Sequence, residues 1–115
     1  MDQKNQLRED SLEFAIAVSD MCDNVHGCSV YKNQLIRASS SIGANIYEAK
    51  YAQSKADFIN KMEIALKESY ETEYWLELLY RKKAISIEAF RSVTNKCGSL
   101  RRRLIASVTT AKGIV

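Results

Sequence analysis

No proline and only four glycines occur among the 115 residues, so the chain lacks the punctuation of strand-and-turn folds and a strand-rich architecture is disfavoured. No apolar run approaches the roughly 18 residues of a membrane span. The opening Met1 to Asp10 is polar and mixed in charge, unlike a signal peptide, and the protein is expected in the cytoplasm, away from any membrane. Catalytic material is equally scarce. There is one histidine, no nucleophile elbow and no glycine-rich phosphate loop. The carboxylates Glu63, Glu68, Glu71, Glu73 and Glu77 lack the Glu-x-x-His pairs that a di-iron bundle needs. The expectation is a protein that is not an enzyme, with no cofactor and no small-molecule substrate. Three cysteines at irregular spacing make no disulfide framework. Cys22, His26 and Cys28 fall one ligand short of a closed zinc site, so they are read as a buried thiol and a loop histidine, with no metal.

What is present is helical periodicity. The stretch Ser54 to Arg81 carries apolar or small residues at Phe58, Met62, Ala65, Ser69, Thr72, Leu76 and Leu79, steps of four and three that hold one helix face toward its neighbours. Ser54 with Asp57 forms a capping-box-like start. Before it, Leu7, Ser11, Phe14, Val18, Met21 and Val25 repeat at heptad spacing, and Gly27 marks the end of that helix. A second helix, capped by Ser29, turns Tyr31, Leu35, Ala38, Ile42, Asn45 and Ala49 inward. Its middle is built of small residues, so Gly43 and Ala44 are read as a site of close helix packing. A fourth helix, capped by Ser86, has Phe90, Val93, Cys97, Leu100, Leu104 and Val108 as its row. The expected fold is one all-α domain over 1–115, an antiparallel up-down-up-down four-helix bundle with helices at about 7–25, 30–51, 54–81 and 86–111.

Charge is unevenly spread. From Ser86 onward six basic residues face Glu88 alone, a balance of +5, while Met1 to Lys50 carries −2. Arg101, Arg102, Arg103, Lys96 and Arg91 are therefore the candidate nucleic-acid contacts, arginine being suited to phosphate. The run of three spans too much of a helix to face one ligand, and little aromatic interleaving accompanies it, which argues against a stacking platform for single strands. Glu73 lies between the apolar rows of the long helix and needs partners if buried. Asn45, Glu48 and Arg37 on the second helix are the expected ones, forming a structural polar network with it.

The segments Ser41-Ile42-Gly43-Ala44-Asn45-Ile46-Tyr47-Glu48-Ala49, Ala52-Gln53-Ser54-Lys55-Ala56-Asp57-Phe58-Ile59, Ile64-Ala65-Leu66-Lys67-Glu68 and Glu71-Thr72-Glu73-Tyr74-Trp75-Leu76 resemble the small four-helix-bundle proteins encoded in intervening sequences of bacterial 23S rRNA genes. The resemblance implies a bacterial cytoplasmic protein without established enzymatic activity, assembled as a homopentameric ring. It extends to the accessory variability proteins of diversity-generating retroelements, whose basic ring surface binds nucleic acid and a reverse transcriptase. Two readings follow from it: a homo-oligomer that associates with rRNA or other structured nucleic acid, or an oligomeric scaffold for a protein partner.

Overall fold

The structure, a computed structural model, describes residues 3–113, with side chains from residue 6 onward; the outermost residues of the expected 1–115 domain lie outside it. Four helices account for nearly all of it: α1 (Gln3–Asp23), α2 (Ser29–Ala49), α3 (Lys55–Arg81) and α4 (Ile87–Ala111). Each helix packs on its two sequence neighbours, and α4 closes on α1, with no diagonal pairing among the described residues. The direction of each pairing follows from its ion pairs. Arg37 meets Glu68 and Glu71 while Glu48 meets Lys61, and Arg101 meets Glu73 while Lys112 meets Glu63. In both cases one helix advances as the other recedes, so neighbours run antiparallel. The α1–α2 face and the α3–α4 face are therefore opposite sides of the bundle.

The row foreseen on α3 is its buried face from Met62 through Leu79, with Phe58 only half-buried. On α4, Val93, Cys97, Leu100, Leu104 and Val108 are buried. Two inward positions shift by one residue: Cys22 replaces Met21 in α1, and Ile46 replaces Asn45 in α2. Burial pushes the Cys97 thiol up to about 12 and raises that of Cys22 as well. Cys97 Sγ donates to the Ser69 carbonyl at 3.3 Å.

Helix ends follow their caps. Ser54 accepts from Asp57 N at 3.0 Å, and the Asp57 carboxylate accepts from Gln53 N at 3.2 Å. Ser86 accepts from Ala89 N at 3.1 Å. Ser29 does not cap α2. The chain enters that helix through Gly27 and Cys28, both left-handed at φ 73° and 55°, and the Cys28 side chain makes no cap bond. The first helix begins at Gln3, earlier than its apolar row, because polar residues of good helical propensity continue it. At the end of α3, Ala84 N bonds to Leu79 O and Lys83 N to Tyr80 O, each at 2.9 Å, a Schellman pair that puts Lys83 at φ 63° where glycine is usual. Lys83→Gly is expected to raise stability by about 0.5–1 kcal/mol, read as a higher urea midpoint at unchanged slope.

A β-carbon on Gly43 would stand 3.0 Å from Ser11 Oγ and 3.6 Å from the Ser11 backbone, so α1 and α2 touch here nearly backbone to backbone. Ala44, expected to share the close packing, is exposed instead; one residue is 100° of helix, enough to carry it from the seam to its rim. Gly43→Leu should cost more than about 3 kcal/mol by overpacking, with a melting temperature far below that of Ala44→Leu, which meets open space.

Candidate nucleic-acid interface

The four residues expected to share one polar network belong to separate contacts. Arg37 reaches Glu68 at 3.4 Å and also pairs with Glu71, while Glu71 accepts from Trp75 Nε1 at 3.0 Å. Glu48 holds Lys61 at 3.2 Å, and Asn45 Nδ2 donates to the Ser41 carbonyl of its own helix. Glu73 turns the other way and pairs with Arg101 of α4. The reason is rotational: Glu71 and Glu73 are two residues, or about 200°, apart on α3 and leave from opposite edges of the helix.

The arginine run divides in the same manner. Arg101 points to α3, its side chain 22% exposed against Glu73. Arg103 points to α1 and holds Asp10 at 2.8 Å. Arg102 alone faces outward, without an ion pair among the described residues. Lys96 is exposed but lines a groove shared with Asp10, Glu13 and Arg103, where two carboxylates oppose an anionic ligand. Arg91 is exposed and unpaired on the outer stripe of α4, the same stripe as Arg102. The five candidates thus do not form one cluster.

A different basic surface emerges on the α3–α4 face. Arg91 and Arg102 are joined by Lys67 on α3 and by Arg81 and Lys83 at the α3–α4 turn, all exposed, while Lys82 leans toward α2, its Nζ 5.9 Å from the Tyr31 ring centre. Of the carboxylates there, Glu73 pairs with Arg101 and Glu77 with Arg81, and Glu88 in the first turn of α4 is exposed. Sequence reasoning missed the turn cluster, although the run Arg81-Lys82-Lys83 is visible in the chain. It missed the aromatics too, because the absence of rings around the arginine run concerned α4 alone. Tyr70 and Tyr74 stand one turn apart on α3, 53% and 60% exposed, and the Arg101 guanidinium lies 5.1 Å from the Tyr70 ring centre.

The opposite face is apolar. Leu12 and Ile16 on α1 are 51% and 53% exposed, with Ile36 and Tyr47 of α2 also open. Leu12, Ala15, Gly43, Ala44 and Tyr47, together with Arg8 and Glu48, line a groove of about 350 Å³ over the α1–α2 seam. A larger cleft, about 710 Å³, lies between α1 and α4, with Phe58, Ala106 and the Asp10–Arg103 pair among its lining. Among the described residues no three metal-ligating side chains gather anywhere, and no helix is long and apolar enough to cross a membrane. Cys22 is in the core and His26 is exposed in the loop, as read from the sequence.

The model of the 23S rRNA-intervening sequence proteins matches residues 3–106. The chain belongs to that family. A crystal structure of a protein of unknown function from the S23 ribosomal protein family of Bacteroides thetaiotaomicron superposes with a TM-score of 0.88 at 42% identity, covering 94% of this chain and 99% of that one. No curated protein matches the chain. Neither the family nor this neighbour indicates an enzymatic activity.

The Asp10 carboxyl lies below its ordinary range, held there first by the hydrogen bond from Gln6 and then by that from Arg103. A carboxyl lowered in the folded state adds stability above its unfolded value, near 3.9, and loses it as pH falls through the lower folded value. Asp10→Asn should therefore lower the melting temperature slightly at neutral pH, with the difference from wild type shrinking as the pH falls below the ordinary carboxyl range. Thermal melts across that range read it.

Proposed function

We propose that the protein is a homo-oligomer, five-membered on the family resemblance, that associates non-enzymatically with structured RNA, rRNA foremost. The observation that carries this reading is the opposition of its two exposed surfaces. Leu12, Ile16 and Tyr47 on the α1–α2 face suit burial against another subunit. The α3–α4 face, with Arg91, Arg102, Lys67, Arg81 and Lys83, is left pointing away from that contact. A subunit with two or three phosphate contacts binds weakly at physiological salt; repetition by symmetry multiplies them and raises affinity without any new chemistry. The family's name for its setting, an intervening sequence of 23S rRNA, supports RNA as the polyanion.

Leu12→Glu with Ile16→Glu should lower the mass seen by light scattering and, with it, the affinity for 23S rRNA fragments. Replacing Arg91, Arg102 and Lys67 by glutamine should leave the mass unchanged, weaken RNA binding and reduce the slope of log affinity against log salt by about two to three. Arg103→Gln, which breaks only the pair with Asp10, should leave that slope alone. A wild-type protein that ignores RNA at low salt overturns the RNA reading and leaves a protein-binding scaffold. A monomer in solution overturns the oligomer.

A further inference from the structure

On the outer surface of α3 an open tyrosine ring, Tyr70, meets the Arg101 guanidinium of α4, and a second, Tyr74, stands one turn further on against Trp75. Tyr70 and Tyr74 follow each other at four residues, about 6 Å along the axis, and both are more than half exposed. Behind Tyr74, Trp75 sits edge-on with ring centres 4.9 Å apart. Trp75 is held in turn by Tyr31, whose ring centre lies 6.2 Å away, and by its indole bond to Glu71. Tyr74 is thus supported on one side and open on the other. The guanidinium of Arg101 backs Tyr70 at 5.1 Å. Over Gly98, where there is no side chain, Arg101 Nη2 and Arg102 Nη1 each come within 3.5 Å of the position a β-carbon would take, so two cationic groups converge on one spot. The pair of Arg101 with Glu73 engages Nη1 and leaves the Nη2 arm for this convergence.

Two rings at a one-turn interval beside paired guanidiniums match an alternation of flat bases and phosphates. We infer that Tyr70 and Tyr74 stack unpaired nucleobases of an RNA strand whose phosphates lie on Arg101 and Arg102. This inference rests on the RNA reading above and deepens it, naming unpaired segments such as loops and bulges as what this face takes. A-form duplex offers side chains no base faces, its bases being stacked on one another, so the rings discriminate in favour of the single strand. The carboxylates facing the site, Glu73 and Glu77, pair with Arg101 and Arg81, so Arg101 offers a phosphate its remaining N–H donors, and the net positive charge comes from Arg102 and from Lys67, three residues before Tyr70, both without an ion pair among the described residues.

The test compares an unpaired RNA of about 12 nucleotides with a duplex RNA of the same length, using wild type, Tyr70→Leu, Tyr74→Leu and Tyr74→Phe. Each leucine variant should bind the single strand about tenfold more weakly, while duplex binding and the salt slope stay unchanged, since stacking involves no phosphate. Tyr74→Phe, which keeps a ring, should restore single-strand affinity. Trp75 is the only tryptophan in the chain, and its emission should change as the unpaired strand is titrated into wild type but not into Tyr74→Leu. Both tyrosines are exposed, and melting curves identify any variant that fails to fold. Duplex binding by wild type with unaltered single-strand affinity in the leucine variants overturns the stacking inference alone. A protein that binds neither RNA at low salt overturns this inference together with the RNA reading.

Discussion

The short distance between α1 and α2 is the constraint from which much else in the bundle follows. It is set by small residues at mid-helix: Ser11 against Gly43, with Ser39, Ala38, Ala65, Ser69 and Thr72 in the surrounding core. Four of these carry buried hydroxyls, and each donates to a carbonyl three or four residues earlier in its own helix: Ser11 to Arg8, Ser39 to Ile36, Ser69 to Leu66 and Thr72 to Glu68. They therefore act as small residues whose polarity is satisfied locally, leaving no polar group to be matched across a helix interface. Where two helices come so close, long side chains cannot lie between them. Leu12 and Tyr47 are displaced to the rims of the seam, Ile16 turns outward, and an apolar outer face results.

The long helix was legible because every signal on it agrees: a seven-position row, a serine cap with its carboxylate three residues on, and no competing breaker. Agreement fails where geometry is decided by backbone conformation rather than side-chain type. Ser29 has the chemistry of a cap, yet consecutive left-handed residues at Gly27 and Cys28 bring the chain into α2 already bent. Lys83 shows the same limit at the end of α3, where the two hydrogen bonds of the turn outweigh the penalty of a left-handed lysine.

Partner choice across the bundle was the least legible part, for an angular reason. A window of sequence shows that Glu73 is partly inward, but the helix that it addresses depends on a rotation of about 100° per residue and on which neighbour occupies each side. Glu73 lies on the α4 edge and Glu71 on the α2 edge, so Arg37 is taken by Glu71 and Glu68, and Arg101 goes to Glu73. The same rotation separates three consecutive arginines into a contact with α3, a contact with α1 and one free side chain. A basic run in sequence is thus not a basic patch in space. The patch on the α3–α4 face is assembled from residues far apart in the chain, Lys67, Arg81, Lys83, Arg91 and Arg102, and no window contains it.

Most of the ion pairs on this surface are half-exposed, and pairs of that kind add little to stability, commonly less than about 1 kcal/mol each. Their larger effect is on the field that a ligand meets. Glu63, Glu68, Glu71, Glu73 and Glu77 would make α3 an acidic helix if left alone, and each is instead matched by Lys112, Arg37, Arg101 or Arg81. Setting four cations against these five carboxylates, with Arg37 shared by Glu68 and Glu71, lets a chain with a net charge of only +3 present a locally positive face, while the acidic side of α1 stays on another edge of the bundle. A polyanion responds to the nearest charges within a Debye length of about 10 Å and hardly to the total. Distribution, more than net charge, therefore determines whether a small bundle of this composition can hold a polyanion, and the apolar groove on the opposite side of the bundle leaves that distribution undisturbed.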